Sequence, residues 1–474
     1  MQHSIQLGTS RFVVADILCG LCLLGAATSL VPVFVALALV LSLVVFLSSI
    51  ALGMSRLTLL LLCALMYTAL SGLMTGGVLP SDFATVEFYA GEGRLFLYYL
   101  PFLALASLSV PRAHLRTLER FGQMIILVTL PLALLAMVTA QDALPTFLTR
   151  SHHGPGGVYG VLCLFFLVQT AATRRWMPGV WAILALLPVV AASSRTAIVA
   201  IAASFVFVVI YQKNFWLATR LAVVGMILAA IASFVSPTNA ERMVSVLRPE
   251  TYEAVREHYQ TARWQPGNEL SEDMALSSAD AEWNVLGRVS MSKHAFLQFL
   301  DSPLIGSGFG RFNDLDARTG YRGLYYINTQ PYRTIHHLTA HNSYLQLLAE
   351  LGVIGTSLYL GFWCAAFIRL ERAKRMRGPQ GREHRWFYLA CQSIIVFLFA
   401  SGFVSHSLAA PAFGLPAAAT VGYAIAMTND RSSEVRGRRI SYQAGSQTSL
   451  RARREETVVE LLEEAESDPV EVNA

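Results

Sequence analysis

Long apolar runs follow one another along most of this chain, separated by short polar connections. A run of roughly 20 apolar residues crosses a bilayer as a helix, because a helix satisfies its backbone polar groups within one segment. Such runs occupy Val13–Leu30, Val33–Leu52, Leu57–Leu79, Leu95–Val110, Met124–Ala140 and Val158–Ala172. They continue through Val180–Ala192, Thr196–Tyr211, Trp216–Val235, Tyr344–Ile368, Phe387–Leu408 and Phe413–Met427. They predict an all-α, polytopic integral membrane protein of about twelve transmembrane helices. Composition agrees: 54% of residues are hydrophobic and 14% charged, where soluble proteins carry about 25% charge. A soluble enzyme, a secreted disulfide scaffold and a disordered chain are thereby excluded. A net charge of +5 is small for a nucleic-acid binder, so no nucleic-acid partner is expected; membrane lipids are. The first run lacks a strongly charged leader and passes straight into a second, so it is read as an uncleaved helix.

Basic residues set the expected orientation. Arg112, Arg116 and Arg120, the pair Arg174–Arg175, Lys213 with Arg220, and the dense stretch Arg369, Arg372, Lys374, Arg375, Arg377, Arg382, Arg385 fall in alternate loops. The loop Pro80–Gly93 carries Asp82, Glu87 and Glu92 without Lys or Arg. Positive loops stay cytoplasmic, which predicts both termini inside. The division expected is a transmembrane body of about nine helices over 1–235, a large outer loop domain over 236–340, about three more helices over 341–427, and a disordered or headgroup-bound cytoplasmic tail over 428–474. The outer segment far exceeds an ordinary connection of ~4–6 residues. It reads as a mostly helical lid, with helices at Glu250–Arg263 and from about Ser278 to Leu300, then the glycine-rich turn Pro303-Leu304-Ile305-Gly306-Ser307-Gly308-Phe309-Gly310. All six cysteines, Cys19, Cys22, Cys63, Cys163, Cys364 and Cys391, lie in apolar runs. The Cys19-x-x-Cys22 pair lacks a second ligand pair and reads as packing.

Three residues are candidates to carry the chemistry. His341 opens the string His341-Asn342-Ser343-Tyr344-Leu345-Gln346-Leu347-Leu348-Ala349-Glu350-Leu351-Gly352, where the outer segment re-enters the membrane. An imidazole there, with an ordinary pKa of ~6.5, accepts a proton near neutral pH; the alternative is a histidine that merely caps or snorkels. Asn342 suits the N-cap of the helix that follows. Arg195, in Ser193-Ser194-Arg195-Thr196-Ala197, is a basic residue in a very short outer turn. A guanidinium fork there suits a lipid phosphate or diphosphate, or simply snorkels to headgroups. Arg288, in Gly287-Arg288-Val289-Ser290-Met291, is either a second such contact or a solvated charge.

Together the HNSYLQLLAELG string, the PLIGSGFG turn, the GRVSMSKHAF helix and the SSRTA turn resemble the O-antigen ligase and O-antigen polymerase superfamily. The resemblance implies a bacterial inner-membrane glycosyltransferase that works on the periplasmic face with a lipid-linked donor. The donor would be an undecaprenyl-diphosphate-linked glycan, and the acceptor lipid A-core or another glycan. The two arginines and one histidine essential in that family match Arg195, Arg288 and His341. The reaction would invert the anomeric centre without a metal, and no cofactor is expected. Physical logic runs parallel: positioned arginines stabilise charge growing on a departing diphosphate, and a histidine is a suitable general base for a sugar hydroxyl.

Further candidates for substrate binding are Arg94, at the outer start of a run, Arg333 and His337 beside His336, and His153 beside His152 in the outer loop Gln141–Gly157. Asp314-Leu315-Asp316 has the D-x-D pattern of nucleotide-sugar transferases but lacks their soluble α/β domain, so it reads as surface loop. Glu350, within an apolar helix, is expected to fix packing or the site histidine. The rival class is a secondary transporter or flippase-like exporter of a glycan precursor. Against it stand the off-centre outer segment and charges at the interface rather than the midplane.

Overall fold

The computed structural model describes residues 2–27, 37, 40–45, 47, 55–85, 88, 94–111, 115–139, 153–191, 194–213, 249, 253, 288, 292, 294–312, 339–375, 384–405, 408 and 413–429. Among them the chain is helical and contains no strand. The helices are α1 (Gln2–Ala27), α2 (Arg56–Thr75), α3 (Arg94–Ser107), α4 (Leu115–Thr139), α5 (His153–Thr173), α6 (Met177–Ala191) and α7 (Arg195–Gln212). They continue as α8 (294–301, with residues 288 and 292 helical ahead of it), α9 (Ser343–Arg375), α10 (Arg385–Val404) and α11 (413–429). Four helical stretches, Arg56–Thr75, Gly156–Thr173, Ser343–Arg375 and Arg385–Val404, have the length and apolarity to cross a membrane, and shorter apolar helices accompany them. The runs at 28–36 and 214–235, the helix expected at Glu250–Arg263 beyond residue 253, and the tail after residue 429 lie outside the described residues.

Side-chain pairs fix the directions of the helices. Gln169 of α5 donates to Glu119 of α4 at 3.0 Å, and Tyr159 donates to Thr129, so these two helices are antiparallel. Tyr99 and Phe102 of α3 meet Tyr359, Phe362 and Trp363 of α9 in sequence order, so α3 runs parallel to α9. The α7–α9 pair is parallel as well, since Phe207 meets Phe367 and the Tyr211 hydroxyl donates to Glu371. Against α10, α7 is antiparallel: Val208 near its end clusters with Leu389 and Ala390 near the start of α10.

These directions collect Arg56, Arg116, Arg120, Arg174, Arg175, Lys213, Arg372, Arg375 and Arg385 at one end of the bundle. That end is closed by a satisfied network. Lys374, buried and 3.6 Å above the Tyr211 ring, pairs with Glu371 at 2.6 Å and donates to Gln392 at 2.6 Å. Gln392 in turn donates to Glu371 at 3.0 Å.

Several expected boundaries move. The basic residues Arg369, Arg372, Lys374 and Arg375, read as loop, lie in the last turns of α9; Lys and Arg are good helix formers, and cations are favourable at a helix C-terminus. Helix α4 starts at Leu115 rather than Met124 because charged side chains on a helix end reaching past the bilayer cost nothing. Helix α10 stops at Val404, where Ser405 turns extended. The run Tyr344–Ile368 is not one helix. At Gly352 the backbone takes φ 62°, ψ −169°, and α9 breaks into an initial piece and a longer apolar one.

Segment 303–308 fills that break. Ser307 N donates to the Ala349 carbonyl (2.8 Å) and Gly308 N to Glu350 (2.9 Å), while Val353 N and Ile354 N donate to Pro303 (2.9 Å) and Leu304 (3.1 Å). The backbone groups that the kink would orphan are thereby paired, a requirement for irregular backbone within a membrane protein. The Glu350 carboxylate, buried, accepts from Phe312 N at 3.3 Å and so ties the far side of the turn to α9.

Candidate active site at one end of the bundle

The end of the bundle opposite the basic one holds those sequence candidates that fall among the described residues. His341 is half-buried and left-handed, with φ 51°. Left-handed backbone is uncommon outside glycine and persists only where its surroundings impose it. Here both flanks are pinned. Ala340 donates its N–H to Gln346 Oε1 at 3.3 Å and accepts at its carbonyl from the Ser292 hydroxyl at 3.2 Å. Asn342 Nδ2 donates to the Phe403 carbonyl at 3.2 Å, and its Oδ1 accepts from Tyr344 N and Leu345 N at 3.0 and 3.1 Å, the expected N-cap. Ser343 donates through both N and Oγ to the Ser405 carbonyl, at 3.2 and 3.0 Å.

Arg288 reaches the same spot. Its Nη1 donates to the Val404 carbonyl at 3.1 Å, one of the orphan acceptors at the negative end of α10. Ser292, one helical turn further on, holds Ala340. Consecutive carbonyls of residues 403, 404 and 405 therefore anchor Asn342, Arg288 and Ser343, and bring Arg288 and His341 to one helix end.

Arg195 is the first residue of α7. Because α7 lies antiparallel on α10, the thirteen residues back from Val208 match the thirteen forward from Leu389 and Ala390. That sets the start of α7 level with Gly402 and Phe403. His153 is the first residue of α5, not part of a loop as the sequence suggests. The starts of α5 and α7 touch: a Cβ on Gly156 would stand 2.4 Å from Ser194 Oγ and 2.9 Å from Ala197 Cβ. Gly156→Val is accordingly expected to push these two helix starts apart and cost about 1–3 kcal/mol by overpacking, read as a lower unfolding temperature in nanodiscs. Arg94 opens α3 at this same end, but beside the glycine-rich turn, where Phe96 packs edge-on to Phe309 with centroids 5.9 Å apart. Arg333 and His337, with His336, Asp314 and Asp316, lie outside the described residues.

Sequence reasoning missed Arg311, Ser292, Gln346 and His294. Arg311 Nη1 donates to the Thr75 carbonyl at 2.6 Å, the C-terminus of α2, in parallel with what Arg288 does at α10. Its signal was a basic residue directly after the glycine-rich turn. Ser292 was legible as the residue four on from Arg288.

His294 is buried against Phe312, ring centroids 5.4 Å apart, and its ring nitrogens lack a well-formed hydrogen bond. Burial pushes its pKa below the usual histidine value, offset in part by a backbone contact with Phe312. When α8 detaches, His294 titrates at ~6.5. The docked form binds fewer protons, so docking is at full strength above that pH and weakens as pH falls through it towards the depressed value. Thermal unfolding in nanodiscs is expected to drop between about pH 7.5 and about pH 5.5, with a smaller drop in His294→Gln.

Apolar helices of spanning length around a packed helical core define a polytopic all-α membrane protein, with a polar constellation at one end. Residues 180–360 match the family model described as O-antigen ligase. That stretch contains Arg195, Arg288, the glycine-rich turn, His341 and the Gly352 break, and the match supports the O-antigen ligase and polymerase superfamily for this chain. No curated protein is similar enough to the chain to count as a relative.

Proposed function

We propose that the protein transfers a glycan from undecaprenyl diphosphate to an acceptor hydroxyl at the periplasmic face of a bacterial inner membrane. The acceptor is lipid A-core in a ligase or a growing glycan in a polymerase. The observation that carries this reading is the shared helix end: Arg288 and Asn342, the residue next to His341, are tied to neighbouring carbonyls at the end of α10, and α7 begins with Arg195 at that level. The basic residues at the other end support a cytoplasmic placement there, leaving the candidate site and the lid outside.

In this mechanism Arg195 and Arg288 hold the diphosphate. The acceptor oxygen attacks the anomeric carbon from the face opposite the leaving group, and the bond from that carbon to the diphosphate oxygen breaks. His341 takes the hydroxyl proton, undecaprenyl diphosphate departs with the electron pair, and the configuration inverts. Charge growing on the leaving oxygen is met by preorganised guanidinium groups, which lowers the barrier without reorganisation. Outside the cytoplasm no nucleotide sugar is at hand, so a lipid diphosphate is the appropriate activated donor.

The banding of surface polysaccharide in a deletion strain tests this. Loss of all chains from lipid A-core marks a ligase, and a single attached repeat unit marks a polymerase. Unaltered surface glycan removes the proposal.

A further inference from the structure

We propose that residues 303–305 form a re-entrant wedge seated among phospholipid acyl chains, so that the segment carrying Arg288 is anchored in the bilayer. This inference rests on the membrane character of the helices and is independent of the transfer reaction. Leu304 and Ile305 are 65% and 58% exposed, although they sit between two apolar helices. The Ile305 carbonyl accepts from the Tyr67 hydroxyl at 3.1 Å, and that same hydroxyl reaches the Leu351 carbonyl at 3.3 Å. Tyr67 lies eight residues before Thr75, the last residue of α2, so Ile305 sits ~12 Å inward along that helix. Arg311 reaches Thr75 itself. The chain thus descends from the helix end to the level of Tyr67 and returns.

Water does not suit that depth, and the carbonyls of the turn do not need it. The carbonyls of Pro303, Leu304 and Ile305 all accept from α9 or α2 donors, and Gly306, Ser307 and Gly308 donate to Ser302, Ala349 and Glu350. Carbonyls paired within the protein beside exposed aliphatic side chains suit hydrocarbon and are penalised by water. The surface is continuous with exposed apolar side chains of the spans themselves, Leu70 and Met74 on α2 and Val353 and Ile354 on α9. The occupant is therefore bulk phospholipid, the medium that already covers those helices.

The full-length protein in phospholipid vesicles provides the test. An environment-sensitive fluorophore on Leu304→Cys, in a background with the native cysteines replaced, is expected to emit at shorter wavelength and be quenched by acyl-chain nitroxide lipids. The same label on Asp301→Cys, an exposed polar position, is expected to stay water-like. The unsubstituted protein supplies a second readout: phospholipid carrying an acyl-chain diazirine is expected to crosslink to Leu304 and Ile305. Water-like emission at both positions with no crosslink overturns the proposal. Crosslinks that vanish on adding a polyprenyl phosphate overturn it too, by assigning the surface to a donor chain.

Discussion

Replacing His341 with asparagine is expected to lower glycan transfer by ~10²–10⁴-fold while the protein folds and inserts normally. Asparagine is the informative substitution because residue 341 is left-handed, a conformation that asparagine tolerates better than most side chains. It removes the proposed base and keeps the backbone. Alanine removes both, so the two variants separate proton transfer from the local fold. If His341→Asn transfers at the normal rate and His341→Ala does not, residue 341 serves the turn and not the proton. Arg288→Ala is expected to cost about 10²–10³-fold in rate. It also releases the link to the Val404 carbonyl. Arg288→Lys keeps a charge but loses the planar fork, so its loss is expected to be smaller than that of Arg288→Ala. The readout is turnover of purified protein in nanodiscs with a lipid-linked donor, beside its unfolding temperature.

The sequence exposed some of this architecture and concealed the rest for definable reasons. Among the described residues, apolar run length located the helices because hydrocarbon thickness selects for it, and the Asn342 cap was visible because capping is local. Helix ends that leave the hydrocarbon were concealed. The His-Gly-Pro-Gly-Gly stretch reads as loop, yet α5 begins at His153. Proline is tolerated in a first turn, where the missing N–H has no partner to lose. Most hidden was the break in α9. Leu-Ala-Glu-Leu-Gly-Val-Ile-Gly continues a helical pattern in every local respect. What opens it is a segment more than forty residues earlier in the chain, and no window along the sequence contains both. The convergence of Arg288 and His341 on α10 is concealed likewise, because their common anchor is a set of backbone carbonyls that any residue supplies.

That junction predicts the second large effect. Gly306→Ala is expected to destabilise the protein by about 2–5 kcal/mol, from the left-handed penalty together with overpacking. Gly306 has φ 75°, and a Cβ there would stand 2.3 Å from the carbonyl carbon and oxygen of Glu350. Those are helix backbone atoms, so no side-chain rotation relieves the contact. If segment 303–308 withdraws, Val353 and Ile354 recover ordinary bonds to Ala349 and Glu350 and α9 straightens. Its initial piece then swings, carrying His341 away from the carbonyls that position its neighbours. Activity should therefore fall together with stability, although residue 306 lies outside the proposed catalytic group. Gly352→Ala attacks the same junction from the other side, since its Cβ would meet the Leu304 carbonyl oxygen at 2.4 Å. Once either glycine is replaced the junction is already open, so the double variant is expected to lose much less than the sum of the two single losses. Additive losses in unfolding temperature would mean that the turn and the kink are held independently, and that the straightened helix is not the competing state.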